Sequence, residues 1–293
     1  MDFTAFVDTF PQLGETRVGA RFTMVPGGKG FNQALASARQ GTPTAMVGCL
    51  GDDVLADAIL DCAAEAGLIA DALERVPGEQ SGVAHITVDA AGDNRIVVVL
   101  HANASLNAHH IDQAKFHFDN ASVVLTQLES PVDIVEYALG AGRSAGCTTV
   151  LNPAPAQALS DELVNLCDWV IPNETELEIL TGHSAADLAG ARAGALALLA
   201  KGARNVVVTL GERGALWVTP ESQMHIESLP VDAVDATAAG DAFCGAFAAS
   251  LASGLDPEAA LRRAGAAGAL AVTIPGASPS LPTGAQVDEF LRQ

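Results

Sequence analysis

From about residue 121 the chain settles into an alternation that few folds can accommodate. Short apolar runs, "SVVLTQ", "TTVLN", "DWVIP" and "NVVVTL", are separated by stretches with helical spacing at 132–145, 157–167 and 184–201. Strands that alternate with helices build a mainly parallel sheet covered by helices on both faces. The earlier part of the chain reads differently. "FTAFVDTF" and "RVGARFTMV" flank a Pro-Gln-Leu-Gly turn, and "SGVAHITVDAAGDNRIVVVL" has the pattern of a hairpin around Ala-Gly-Asp-Asn. Residues 1–25 and 81–100 are therefore expected to form a small antiparallel sheet projecting from an α/β body of residues 26–80 and 101–293. The stretch "GGKGFNQALASARQG" opens glycine-rich and continues with helical spacing as far as Gly41.

Composition narrows the function classes. At 293 residues the chain can fill one large α/β domain with a small appendage. A formal charge of −20 argues against nucleic acid as a partner, because such binding needs basic surface to displace counterions. It leaves room for an anionic small ligand, since a helix terminus or a bound cation can reverse the field inside one cleft. No membrane span is expected. Ala264 to Ile274 is too short to cross a bilayer, and Ala185 to Ala200 is broken by Asp187 and Arg192. Asp2, Asp8 and Glu15 occupy the region that a signal peptide would make basic and then apolar. Cys49, Cys62, Cys147, Cys167 and Cys244 are scattered and odd in number, which favours reduced thiols and a cytoplasmic location. The seven histidines show no metal-ligand spacing, and no Walker A loop or nucleophile elbow is present.

In an open parallel sheet, ligands collect at the carboxyl ends of the strands. Glu129, Asn152, Asn173 and Gly211 each follow one of the apolar runs, and four such ends in succession point to a shared cleft. The stretch "DATAAGDAFCGAF" sets two alanines and a glycine before Asp241 and then begins an apolar run. Small residues allow close backbone approach, and a helix N-terminus can hold an anion beside a carboxylate. An Asp that merely caps the helix after a tight turn is the other reading, and the local sequence leaves both open.

Taken in order, "PGGKGFNQALASARQG", "QLESP", "NPAPA", "PNETE", "TLGERG" and "DATAAGDAFCGAF" resemble the ribokinase branch of the PfkB carbohydrate kinases. The resemblance runs from Asp2 to the C-terminus. It implies a ribokinase-like three-layer α/β/α sandwich with a small antiparallel β-sheet lid. It also implies ATP as co-substrate, with Mg2+ and K+ as cofactors. By the same resemblance Asp241 is the catalytic base, and the backbone N–H groups of Ala239, Gly240 and Asp241 face the transferring phosphoryl group. Asp2, Gly28, Lys29, Asn32 and Glu129 match sugar-binding positions. Asn173 and Glu176 match the N-x-x-E pattern that organises Mg2+ and phosphate through water. Thr209, Gly211 and Gly214 match the nucleotide loop. Asp235 and Thr237, with backbone groups near Ala271, Ile274 and Gly276 and with Ser280, match a monovalent-cation site.

Family members open with an apolar strand and a G-S-x-N-x-D motif, of which only Asp2 is in register here. A first core strand is thus expected to be absent from the sheet, and the natural chain is expected to start upstream of Met1. "QLESP" with "NPAPA" points to D-ribose, phosphorylated at O5, ahead of deoxyribose or fructose. A nucleoside kinase of the same fold and an N-terminally truncated sugar-binding protein are the rival readings. Lids of this family clasp in pairs, so a homodimer through the lid is expected.

Overall fold

The computed structural model describes residues 1–292. The chain begins with two lid strands, β1 (Asp2–Phe6) and β2 (Arg21–Val25), followed by helix α1 (Lys29–Arg39). A parallel βαβ unit comes next: β3 (Ala45–Gly51), α2 (Val54–Glu65) and β4 (Ile69–Val76). The Asp53 carboxylate caps α2 by accepting from the Ala56 N–H at 3.0 Å. The expected hairpin is β5 (Val83–Val88) with β6 (Asn94–Val99). Two short helices, α3 (Ala108–Gln113) and α4 (Lys115–Asn120), lead into the alternating part of the chain. That part runs β7 (Val123–Thr126), α5 (Val132–Ser144), β8 (Thr148–Leu151), α6 (Asp161–Asn165), β9 (Trp169–Val170), α7 (Glu174–Thr181), α8 (Leu188–Ala200) and β10 (Asn205–Thr209). Antiparallel β11 (Ala215–Val218) and β12 (Gln223–Ile226) extend the sheet, and α9 (Ala239–Ala252), α10 (Pro257–Ala271) and α11 (Gly284–Phe290) complete the fold. The helical spacing over 157–167 yields only the short α6, because Ser160 starts it late by accepting from the Leu163 N–H at 3.0 Å.

Strand alternation generates the three layers. Successive side chains of a strand point to opposite faces. Val206 and Val208 of β10, Leu151 of β8 and Val170 of β9 pack with Leu139 of α5, Leu177 of α7 and Leu198 of α8. Their neighbours Val207, Val150 and Trp169 face the other way and pack on Phe243 and Phe247 of α9 and Leu261 of α10. The alternating sequence therefore folds as expected, with helices on both faces of a six-stranded sheet ordered β12-β11-β10-β9-β8-β7.

The central sheet is divided. β3 and β4 form a separate parallel pair, and β3 and β7 each have a strand neighbour on one side only. Met46 of β3 and Gln127, just past the end of β7, both approach Gly30 in the first turn of α1, and Val47 and Val124 pack on one apolar cluster. Among the described residues no strand lies between β3 and β7, which agrees with the expected absence of a first core strand. Every residue of β7 is consequently only half-buried, whereas Thr149, Val150 and Leu151 of β8 are fully buried.

The lid is a four-stranded sheet ordered β2-β1-β5-β6. Its outer pairs are antiparallel, as expected, but the central β1–β5 pair is parallel, with Asp2 opposite Ala84 and Phe6 opposite Val88. β1 and β5 belong to different segments of the chain rather than to one hairpin, so nothing forces them to run antiparallel. β6 lies at the sheet edge with all six residues exposed.

Candidate active site

Asp241 is the third residue of α9 and is 7% exposed. Its position in the first turn places the carboxylate where the helix dipole favours negative charge. Asn32 Nδ2 donates to its Oδ2 at 3.1 Å, and Gln33 Nε2 donates to its Oδ1 at 3.0 Å. Burial pushes the Asp241 carboxyl above the ordinary carboxylate range, against the pull of the Lys29 charge and of those two hydrogen bonds. The turn before α9 is tight: Ala238 is left-handed at φ 60° and ψ 9°. Of the three N–H groups expected to face a phosphoryl group, that of Ala239 instead reaches the Ala236 carbonyl at 3.3 Å. The N–H groups of Gly240 and Asp241 occupy first-turn positions that have no intrahelical acceptor.

Two cavities adjoin at the start of α1. One, of about 210 Å³, is lined by Lys29, Asn173, Glu176, Thr209, Gly240 and Asp241 among others. The other, of about 130 Å³, lies beneath the lid and includes Met1, Asp2, Gly28 and Glu129 in its wall. Glu129 ties the walls together, its Oε2 accepting from the Lys29 N–H at 2.8 Å. Asp2 and Glu129 are pushed above the usual carboxylate range by burial, and the Asp241 charge adds to both effects. The N-terminal ammonium of Met1 donates to the Gly82 carbonyl at 2.9 Å, and burial lowers its pKa.

Asn173 and Glu176 form a reciprocal capping box at the start of α7, each side chain bonded to the other's backbone N–H at 2.8 Å. The pair thus serves as a helix cap, whatever else it binds. Glu176 is buried as well, which raises its pKa, and one of its carboxylate oxygens is left outside the cap. Thr209 lies beside Asn173, to which it is bridged at the strand ends. Gly211 and Gly214 enclose a single 3-10 turn after β10 and do not line the cavity. Gly214 has a packing reason to be glycine, because a Cβ there would fall 2.0 Å from the Ile226 carbonyl oxygen.

The residues expected to hold a monovalent cation come together in part. Asp235 Oδ1 accepts from the Thr237 N–H at 2.9 Å and from its hydroxyl at 2.6 Å, while Oδ2 accepts from the Gly276 N–H at 2.8 Å. Burial works to raise the Asp235 pKa, but these three bonds outweigh it and hold the carboxylate below its usual range. The Val272 carbonyl accepts from Val234 and Asp235, which brings the end of α10, with Ala271 and Ile274, against the same turn. Ser280 is buried and its hydroxyl is spent on the Ala277 carbonyl at 2.8 Å. Among the described residues no three His, Cys, Asp or Glu side chains come together as a metal-chelating group.

Gln33 and Gly245, which the sequence does not mark, and Asn152, which it marks only as a strand end, also shape the site. Gln33 Nε2 bonds Asn152 Oδ1 at 2.9 Å as well as Asp241, and Asn152 Nδ2 bonds the Ile171 carbonyl at 2.9 Å. Gly245 lets α1 and α9 approach closely enough for these bonds, since a Cβ there would lie 2.5 Å from the Ala36 Cβ. Asn152 stands at one of the four strand ends already singled out. Gln33 and Gly245 carry no local signal, since each acts through a contact made only in the fold.

Comparison with known proteins gives a consistent result. Residues 1–284 match the model of the pfkB family of carbohydrate kinases. The chain is 38% identical to the deoxyribokinase of Salmonella typhi over 292 residues, covering 99% of this chain and 95% of that one. It is 38% identical to the ribokinase of Bacillus subtilis over 291 residues, covering 99% and 96%. Among solved structures it resembles Arabidopsis thaliana ribokinase complexed with ribose and ATP, with a TM-score of 0.93 at 30% identity over 100% of this chain and 96% of that one.

Proposed function

The chain belongs to the pfkB family of carbohydrate kinases and is an ATP-dependent carbohydrate kinase, and from that premise we propose that it transfers the γ-phosphoryl group of ATP to O5 of D-ribose, giving D-ribose 5-phosphate and ADP. One observation carries this reading. The buried Asp241 carboxylate lies at the N-terminus of α9, on the wall of the cavity that adjoins the one containing Asp2, Gly28 and Glu129. As O5 attacks the γ-phosphorus, its proton passes to Asp241, the bond from phosphorus to the bridging oxygen breaks, and ADP leaves. The N–H groups of Gly240 and Asp241, with the Lys29 ammonium, stabilise charge on the phosphoryl oxygens. Asp2, Asn32 and Glu129 bind sugar hydroxyls, and Thr209 with the turn from Gly211 to Gly214 supports the nucleotide.

The residues present fit the two cations. Mg2+ takes few protein ligands and keeps phosphates and waters, which suits the one Glu176 carboxylate oxygen left outside the cap, in the same cavity wall as Asn173. Bound there with the nucleotide, it would neutralise phosphate charge. K+ would be held by Asp235 and nearby carbonyls, where it would keep the turn before α9 in place. The five cysteines are free, in keeping with a cytoplasmic enzyme. Among the described residues no helix is long and apolar enough to cross a membrane. The charge of −20 disfavours nucleic acid as a partner. A second copy docked through the lid is the expected assembly.

2-Deoxy-D-ribose is the second reading, favoured by a similarity to the Salmonella deoxyribokinase equal to that with the Bacillus ribokinase. Comparing kcat/KM for D-ribose, 2-deoxy-D-ribose and D-fructose with Mg-ATP tests the assignment. D-ribose is expected to lead, and a higher value for either other sugar overturns it. Replacing Asp241 by Asn is expected to lower kcat by about 10²- to 10⁴-fold.

A further inference from the structure

Gln33 is 2% exposed, and its two amide hydrogens are committed to two acceptors on different elements, Asn152 Oδ1 and Asp241 Oδ1. The direction of both bonds is set from the main chain. Asn152 Nδ2 donates to the Ile171 carbonyl, which can only accept, so Asn152 must present its oxygen to Gln33. Gln33 must then offer its nitrogen to Asn152, and the same nitrogen faces the carboxylate. The Gln33 Oε1 is left buried without a partner, a cost that a purely structural tie has no reason to bear. We propose that Gln33, oriented by Asn152, is a positioning residue that fixes the Asp241 carboxylate and holds it in its proton-accepting, ionised form. This rests on the reading of Asp241 as the base.

The physical argument is one of direction. An N–H donor bonded to a carboxylate favours the charged form, which opposes what burial does to Asp241. The other charged or titratable groups felt at this site are Lys29 on α1, which favours ionisation, and Asp2, Glu129 and Glu176, whose charges interact with that of Asp241. Cys244, one turn along α9, is kept neutral by burial. Asn32 binds the second carboxylate oxygen, so without Gln33 the carboxylate could swing about that single remaining bond.

The test is the pH dependence of kcat/KM for D-ribose in Gln33→Met, which keeps the length of the side chain and removes the donor. The acid limb is expected to move to higher pH by about one unit, the change produced by losing one charge-assisted hydrogen bond. kcat is expected to fall about 10- to 100-fold, with the Kd for an ATP analogue changed less than about threefold. Gln33→Glu removes the donor and adds a second carboxylate, so its acid limb is expected to move further. An unmoved acid limb with wild-type kcat in Gln33→Met, whatever its melting temperature, reduces Gln33 to a structural tie and overturns the proposal. Should Gln33→Met not fold, Asn152→Ala frees the Gln33 amide to rotate; a displaced acid limb supports the proposal and an unmoved one overturns it. Failure of the underlying reading is distinguishable, because it appears as retained turnover in Asp241→Asn.

Discussion

Gly245 of α9 lies directly against the backbone of Gln33 on α1: a Cβ at position 245 would fall 2.4 Å from the Gln33 carbonyl oxygen. The obstacle is main chain, so the helices themselves must separate to admit a side chain. Gly245→Ala is expected to destabilise the protein by about 1–3 kcal/mol through overpacking. Since α1 carries Asn32 and Gln33 to Asp241, kcat is expected to fall at least tenfold in the folded fraction. Gly140→Ala serves as a control. That helical position in α5 has open space around it, so alanine is expected to stabilise by about 0.5–1 kcal/mol. Urea unfolding of both variants checks the pair, and equal effects would remove the argument for a forced approach.

Ala238 invites a second comparison. A left-handed alanine costs roughly 1–2 kcal/mol, yet its methyl packs against the apolar cluster that includes Phe31, Leu35 and Ala242. Glycine would relieve the backbone, but it would lose about 0.8 kcal/mol of methyl burial and gain about 0.4–1 kcal/mol of unfolded-state freedom. These effects nearly cancel. Ala238→Gly is therefore expected to change stability by less than about 1 kcal/mol. Ala238→Val puts a branched side chain at the same positive φ and is expected to cost more than about 2 kcal/mol. Denaturant midpoints for the two variants decide it, and a tolerated valine contradicts the account.

Much of this fold was legible from side-chain alternation alone. Val206, Val207 and Val208 read as a buried strand because both faces of the sheet needed apolar residues, and the helices supplied both. Asp241, Lys29, Asn32 and Glu129 stand out through the resemblance of the motifs that hold them, and the fold brings Asn32 to Asp241 and Glu129 to the Lys29 N–H. The unit from Ala45 to Val76 was not read, since its short apolar runs do not separate strand from helix by spacing alone. Gln33 escaped notice for a different reason. Its partners stand 119 and 208 residues away, and nothing local marks an amide that is used for direction rather than contact. The parallel β1–β5 pairing is likewise a tertiary choice between two segments that each looked like part of an antiparallel ribbon.

Burial of carboxylates makes stability depend on pH with a definite sign. Asp2, Glu129 and Asp241 all bind protons more readily in the folded chain than in the unfolded one. Between the usual carboxylate value of about 4 and their raised values, the native state holds more protons, so stability increases as pH falls through that window and is lost as pH rises. Asp241→Asn removes one of these charges. The Asn32 Oδ1 has no partner, so that side chain can turn over and accept from the new amide. The ligand-free variant is expected to melt at least about 2 °C above wild type at pH 8, with the gain shrinking towards pH 5. Calorimetric melting across that range checks it, and a gain that grows with acidity reverses the sign.

The lid edge supplies the last prediction. β6 is exposed along its whole length, with Ile96 52%, Val97 64% and Val98 50% exposed, and Phe22 and Met24 are exposed on β2. Edge strands left bare usually carry charge or proline to prevent pairing, and between Ile96 and Val99 this one carries neither. Exposed apolar side chains on both faces of an unpaired edge suit a second copy of the same lid. In a twofold assembly each substitution counts twice. Val97→Asp is therefore expected to weaken dimerisation at least about a hundredfold, while the monomer retains its melting temperature because Val97 contributes nothing to the core. Sedimentation velocity at micromolar concentration reads the result directly. A wild-type chain that sediments as a monomer, or a dimer indifferent to aspartate at position 97, means that the lids do not meet through β6.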